Sequence, residues 1–365
     1  MWLEKYLTRV PMYLLIAGSL FALVAFAFIA SLFGAAPFGP LALVVSALVF
    51  ALTSTIVSFL LGKLYGVPSH LPSALITALI LTLLFTPSLE FASLLQFALI
   101  AAIAQASKYV VTFASRHIFN PAAFGAFAGG LLQLQFASWW VGSPTFAILV
   151  AIASFLILYK TRQLLLGAVF LFVTLALLGL NGVPPWLALT SWPLLFLVGF
   201  MLSEPLTLPP RKWQRLVVGV VVALLVSLPF RIENVFYSSP EFALLAGNMV
   251  AFILAFRQRK DLRLTLKGRR PLTPTTDEFI FTSPETLQFE AGQYVELTLI
   301  GGKTDNRGFR RSFSITNSPG SHELRLGIKS ASPSSTFKQT LCNLPVGASV
   351  QSTGIYGDFV LPKGP

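Results

Sequence analysis

The chain has 365 residues, 55% of them hydrophobic and 11% charged, with a mean hydropathy of +0.75, values that a soluble globular protein of this length does not reach. The net charge of +12 would suggest nucleic acid in a soluble protein, but here the cations lie largely beside apolar runs, where they set orientation, so nucleic acid is excluded as a partner. The single cysteine, Cys342, excludes an internal disulfide, a four-cysteine iron–sulfur cluster and a Cys-rich zinc site, and no metal site is expected.

The composition breaks near Phe256. Up to that point one apolar run follows another, whereas Arg257 onward carries 15 of the 26 Lys+Arg and 9 of the 14 Asp+Glu. Two domains are therefore expected, 1–256 in the membrane and 257–365 outside it. Glu4, Lys5 and Arg9 precede the first run, and no small-residue cleavage site follows it, so that run is expected to remain as a helix rather than to leave as a signal peptide.

In chain order, apolar runs near 12–33, 41–62, 73–87, 91–105, 109–133, 138–158, 163–180, 187–203, 214–230 and 240–256 give about ten transmembrane helices. With the N-terminus inside, the inner loops hold Lys63, Lys108, Lys160, Arg162, Arg211, Lys212, Arg215, Arg257, Arg259 and Lys260, while the outer loops hold Glu90, Glu233 and Arg231. That asymmetry predicts a multi-pass membrane protein with both termini, and so the second domain, in the cytoplasm.

Two segments are unlike ordinary spans. Residues 71–87 and 190–210 are short, bounded by proline and edged with Ser and Thr, and they occupy corresponding places in the two halves. Such pairs of broken helices point to inverted repeats with a site between them. Charged groups in the bilayer cost roughly 2.5–3.5 kcal/mol each on insertion scales, so Arg116 and Glu204 must find partners or face a polar cavity, as must the polar His117 and Asn120 beside them. Arg116 with Glu204 could also be a structural ion pair, Asn120-Pro121 a satisfied kink, and Ser73 and Thr77 hydroxyls bonded back to their own helix.

After the basic linker the pattern becomes that of short strands: 262–270, 278–284, 294–300, 310–316, 322–329 and 348–354, punctuated by Gly, Pro, Asn and Asp, with one short helix at 334–341. Six strands in so short a stretch predict a small antiparallel six-stranded β-barrel. Along the fourth strand, alternation puts Arg311 and Phe313 on one face and Ser314 on the other.

The motifs FEAGQYVEL, RRSFSITNSP, SSTFKQTL and GIYGDFVLP occur in the order and at the spacing of the flavin-binding barrel of the ferredoxin–NADP reductase family, which residues 257–365 resemble. The family's Arg-x-Tyr-Ser is represented by Arg311-Ser312-Phe313-Ser314. The resemblance implies that Arg311 holds the FAD pyrophosphate, that Phe313 packs on the isoalloxazine with Ser312 beside it, and that Ser314 sits near the redox edge as the catalytic residue. Ser334, Ser335 and Thr336, at a helix start, would serve the same phosphates. Phe313 departs from the family's tyrosine: the stacking surface survives and the hydroxyl does not. The Gly-rich nucleotide-binding domain that follows the barrel in this family has no counterpart here, so NAD(P)H would bind through a domain absent from this chain.

The partner of a flavin domain in a membrane can be haem, but His70, His117 and His322 are the only histidines and only His117 falls in a predicted span, which excludes bis-histidine haem. Instead YLTRVPMY, SALITALIL, RHIFNPAAFG and FMLSEPLTLPP resemble the membrane-protein family shared by the Rnf electron-transport complex and the sodium-translocating NADH:quinone reductase. That resemblance implies a flavin, FMN or riboflavin, in the membrane domain, with Asn120, Arg116, Glu204, Ser203, Thr207, Ser73 and Thr77 around it. The threonine segment that carries covalent FMN in relatives is missing, so this flavin is expected to be noncovalent. The function implied is a transmembrane oxidoreductase of a prokaryotic plasma membrane, passing electrons from NAD(P)H through FAD and a membrane flavin to a quinone or an extracytoplasmic acceptor. The competing reading is a small-solute or ion transporter regulated by a redox-sensing FAD domain.

Overall fold

A computed structural model describes residues 4, 7, 10–114, 116–228, 230–232, 236–256, 262–299, 308–329 and 334–361. The basic linker residues Arg257, Arg259 and Lys260, and Glu233, lie outside these described residues. The chain divides into two compact units: Met1–Phe113, His117–Pro209 and Trp213–Ile253 form the first, and Ala114–Arg116, Pro210–Lys212 and Leu254–Pro365 the second.

The first unit is helical. Its elements are α1 (Met12–Leu32), α2 (Pro40–Leu64), α3 (Leu71–Leu84), α4 (Phe91–Val110), a minute hairpin of β1 (Thr112–Phe113) and β2 (Arg116–His117), α5 (Pro121–Leu131), α6 (Pro144–Lys160), α7 (Leu164–Leu180) and α8 (Pro185–Ser191). There follow the single turn α9 (Leu194–Phe196), a π-helical stretch Leu197–Leu202, α10 (Lys212–Ser227), a second hairpin of β3 (Arg231–Ile232) and β4 (Phe236–Tyr237), and α11 (Pro240–Ala255). Proline supplies the start signal repeatedly: Pro40, Pro121, Pro144 and Pro185 occupy the first helical positions, where the missing N–H costs nothing.

Three of these helices, Met12–Leu32, Pro40–Leu64 and Phe91–Val110, are long and apolar enough to cross a membrane, and a fourth span is possible if Leu164–Leu180 and Pro185–Ser191, bent by 119° at their break, count as one. The expected ten spans are therefore not what the described residues show. The reason is length: α3 has 14 residues, α5 has 11 and α11 has 16, and at 1.5 Å per residue these rise only about 17–24 Å against a hydrocarbon core of about 30 Å. The run 109–133, expected as one helix, is cut by the 112–117 hairpin, where Ala114 takes φ +47, and by Asn120-Pro121.

Small residues draw α5 onto α4. A Cβ built on Gly125 would lie 2.6 Å from the Ala104 Cβ and 2.9 Å from the Ile100 carbonyl oxygen, and one on Gly129 would meet the Ile100 side chain at 2.8 Å. The Gly-x-x-x-Gly spacing lets the backbones approach as they do in membrane helix pairs.

The second unit is a six-stranded, wholly antiparallel sheet built from β5 (Leu262–Thr273), β6 (Thr276–Thr282), β7 (Tyr294–Thr298), β8 (Arg310–Ser314), β9 (Glu323–Lys329) and β10 (Ser349–Tyr356), with α12 (Thr336–Cys342) before the last strand. The strand order is β8-β7-β10-β5-β6-β9. Alternation buries Leu264, Leu266, Phe279, Phe281, Val295, Leu297, Leu324, Leu326 and Ile328, and α12 adds Phe337 and Leu341. The expected closed barrel is instead an open sheet, because β8 ends at Ser314, the next N–H, of Ile315, returns to the Gln293 carbonyl at 3.1 Å, and β8 forms no ladder with β9. The edges meet only beyond the strand, where the Thr316 N–H donates to the Arg325 carbonyl at 2.9 Å.

Gly292 forms the turn into β7 at φ +98, and a Cβ there would collide with the Phe359 carbonyl oxygen. Gly292→Ala combines that collision with left-handed strain of about 1–3 kcal/mol. A lower thermal midpoint for the sheet is the expected result; an unchanged melt would show that the turn yields freely.

Candidate functional site

In the helical unit the chemistry gathers around one cavity of about 60 Å³. Ser73 and Thr77 reach it from α3, Lys108 from α4, Asn120 from the head of α5, and Phe200, Ser203 and Glu204 from the end of the π-helical stretch. Residues far apart in the chain are thus brought together, among them Ser73, Thr77, Asn120, Ser203 and Glu204, which were singled out from the sequence.

Local structure explains each placement. The Asn120 side-chain oxygen caps α5 by accepting the Ala123 N–H at 3.1 Å. Its own N–H donates to the Asn248 side-chain oxygen at 2.8 Å, and its side-chain nitrogen donates to Glu204 Oε2 at 2.9 Å. Glu204 follows the π-helix, where Gly199 packs so tightly that a Cβ would collide with Ser154 Oγ. Ser203 Oγ returns to the Gly199 carbonyl at 2.7 Å. Short π-helical stretches of this kind are rare and recur at functional sites. Thr77 donates to the Ser73 carbonyl at 3.1 Å, a bond back to its own helix.

Two of the expected residues lie elsewhere. Thr207 is buried and donates to the Glu204 carbonyl at 3.2 Å, but it does not line the cavity. Arg116 groups with the second unit; its Nη2 reaches both carboxylate oxygens of Glu296 at 2.8 Å, so it is not the partner of Glu204. That partner is His117, whose Nε2 lies 3.0 Å from Glu204 Oε1. Reading Arg116 alone missed this because successive residues of a strand point to opposite sides, and a two-residue strand is hidden inside an apolar run. Lys108 was also missed: its Nζ donates to the carbonyl and hydroxyl of Ser73 at 3.0 and 3.1 Å. Asn248, fully buried in apolar α11, carried a usable signal, since a lone amide in such a helix must find partners.

In the second unit, β8 carries Arg311-Ser312-Phe313-Ser314. Its register against β7 sets Arg311 opposite Leu297 and Phe313 opposite Val295, on the core side, while Ser312 and Ser314 are exposed opposite Glu296 and Tyr294. Arg311 Nη1 donates to the carbonyls of Gly308 at 3.1 Å and Arg310 at 2.6 Å, and its guanidinium lies 5.4 Å from the centre of the Phe337 ring. Phe313 packs on that same ring at 5.9 Å. Phe337 is the second residue of α12, which Ser335 caps by accepting the Lys338 N–H at 3.3 Å; Ser334 precedes the cap and Thr336 opens the helix. The fork, the aromatic surface and the helix start therefore share one corner, whereas Ser312 and Ser314 face the other side beside Tyr294 and Tyr356, whose rings are 6.1 Å apart.

On that second side, burial alone would raise the Glu296 carboxyl, but the guanidiniums of Arg116 and Arg310, with hydrogen bonds from Arg116 and Thr353, hold it below its ordinary value. Among the described residues no group of three or more His, Cys, Asp or Glu could hold a metal ion.

No protein family model matches this chain, and no curated protein matches it. Among solved structures it is similar to the Amycolatopsis cytochrome P450 reductase GcoB, at 32% identity over 28% of this chain and 30% of that one, with a TM-score of 0.25. It is similar also to the ferredoxin reductase in carbazole 1,9a-dioxygenase, at 19% identity over 29% of this chain and 31% of that one, TM-score 0.25. A third is the cytochrome b5 reductase domain of Ulva prolifera nitrate reductase, at 19% identity over 28% of this chain and 44% of that one, TM-score 0.24. All three are described as reductases, and the chain spans less than half the length of each.

Proposed function

We propose that this chain is a membrane-bound, flavin-dependent oxidoreductase whose C-terminal unit holds FAD. The observation that carries the reading is the corner formed by Arg311, Phe313 and Phe337 at the start of α12. Its donor set suits a flavin nucleotide: a guanidinium fork for the pyrophosphate, a half-buried ring for the isoalloxazine, and hydroxyls of Ser334, Ser335 and Thr336 at a helix start. Ser312 and Ser314 face the other side of the same strand, opposite Glu296 and Tyr294, so the corner rather than these two hydroxyls carries the flavin-holding reading. FAD, when bound, accepts a hydride and releases single electrons. NAD(P)H would supply the hydride through a domain outside this chain, and a quinone or extracytoplasmic acceptor would take the electrons. Three helices long and apolar enough to cross a membrane support a multi-pass protein, whose second unit would lie on the cytoplasmic side.

Nothing in the structure carries the second flavin expected in the membrane unit, whose cavity is lined by Ser73, Thr77, Lys108, Asn120, Ser203 and Glu204. No electron step is routed through it. The same polar cavity is the observation that favours the second reading, a small-solute or ion transporter with the FAD unit as its redox sensor.

Photoreduction of the detergent-purified chain under anaerobic conditions, followed by addition of a short-chain quinone, separates the two readings. Reoxidation of the flavin in step with quinone reduction is expected. A flavin that stays reduced with quinone present would favour the sensor.

A further inference from the structure

The Glu204 carboxylate sits in a hydrogen-bond network that leaves room for one proton. Asn120 cannot turn its amide round, because the Ala123 N–H needs an acceptor and finds Oδ1 at 3.1 Å. The side-chain nitrogen of Asn120 is therefore the atom facing Glu204 Oε2 at 2.9 Å, and Oε2 is committed as an acceptor. The other oxygen, Oε1, faces His117 Nε2 at 3.0 Å. A proton shared by this pair lies along that line, on Nε2 or on Oε1, with the imidazole tautomer deciding which group donates. The two side chains are 11% and 22% exposed, and Glu204 opens onto the cavity. The space beside Glu204, about 60 Å³ and lined by polar groups, is roomy enough for water.

We infer that His117 and Glu204 form a proton-exchange site in the membrane unit, sharing one proton between Nε2 and Oε1 and trading it with water in the cavity. The groups that line the cavity with Glu204 agree with this use. From α4 comes Lys108, held by Ser73 and the one cation among the described residues that line the cavity; from α1 comes the Tyr13 phenol; α3, α5 and the π-helical stretch contribute Ser73, Thr77, Asn120 and Ser203, which carry no charge. Asn248 on α11 fixes the Asn120 backbone and carries no charge either. Ionisable groups placed so in a membrane unit mark proton or ion paths in general. The inference does not depend on FAD binding.

The test is an infrared pH titration of the full chain in detergent, comparing wild type with Glu204→Gln and His117→Gln. Glutamine at 204 keeps an acceptor for Asn120 and a donor for His117 but has no proton to exchange. In wild type, a protonated-carboxyl band and an imidazole band are expected to change over the same pH interval. Glu204→Gln should abolish the carboxyl band and move the imidazole transition, and His117→Gln should move the carboxyl transition. A carboxyl band untouched by Glu204→Gln, or two wild-type transitions that proceed independently, would overturn the proposal. Should Glu204→Gln fail to fold, the His117→Gln comparison decides alone: an unmoved carboxyl transition rejects the pair.

Discussion

Arg311→Ala is expected to strip FAD from the purified chain while leaving the helical unit folded. The side chain supplies the cation of the corner, and hydrogen bonds to charged groups are worth roughly 1.5–3 kcal/mol each, a ten- to hundredfold rise in Kd. Alanine also removes the bonds to the Gly308 and Arg310 carbonyls and the stack on Phe337, so the approach to β8 loosens as well. Arg311→Lys separates the two effects. Lysine keeps a charge but neither the fork nor the planar stack, and should restore only part of the affinity. Flavin released by acid, measured per chain, is the readout, and an unchanged flavin content in Arg311→Ala would remove this residue from the site.

Gly125→Leu should be the most damaging single change in the helical unit. Even one carbon at this position would lie 2.6 Å from the Ala104 Cβ and 2.9 Å from a backbone carbonyl, which cannot swing away. Overpacking of a close-packed core costs about 1–3 kcal/mol, and four carbons between two helix backbones exceed what a rotamer change relieves. Because Asn120 caps α5, parting that helix from α4 also pulls the Asn120 amide from Glu204. The expected outcome is a clear drop in thermal midpoint in detergent and a broadened size-exclusion profile. Gly18→Ala in α1 is the control, since a Cβ there meets nothing within 4 Å. A Gly125→Leu protein that melts like the control would mean that the two helices are not held as described.

The sheet was the most legible part of the sequence, since its strands alternate apolar and polar residues and its turns carry Gly, Pro and Asn. Strands expected at 310–316 and 322–329 fall at Arg310–Ser314 and Glu323–Lys329. What alternation could not tell was closure, which depends on whether β8 continues past Ser314. In the helical unit, individual motifs were more legible than spans. Asn120-Pro121 announces a cap and a first helical residue, but an apolar run does not say whether it is one long helix or a hairpin followed by a short one. Partner choice was the least legible. Arg116 and His117 are neighbours, each able to meet a carboxylate, and only the strand pleat decides that His117 takes Glu204 while Arg116 takes Glu296. The size of the cavity was beyond reach as well, because it is set by how closely α3, α4 and α5 approach, and that follows from packing at positions such as Gly125 rather than from polarity.

Flavin stoichiometry of the intact, detergent-purified chain tests the central claim most directly. One FAD per chain, released by acid and absent from Arg311→Ala, is the predicted result. A folded chain that carries no flavin and binds none on incubation with FAD would contradict it.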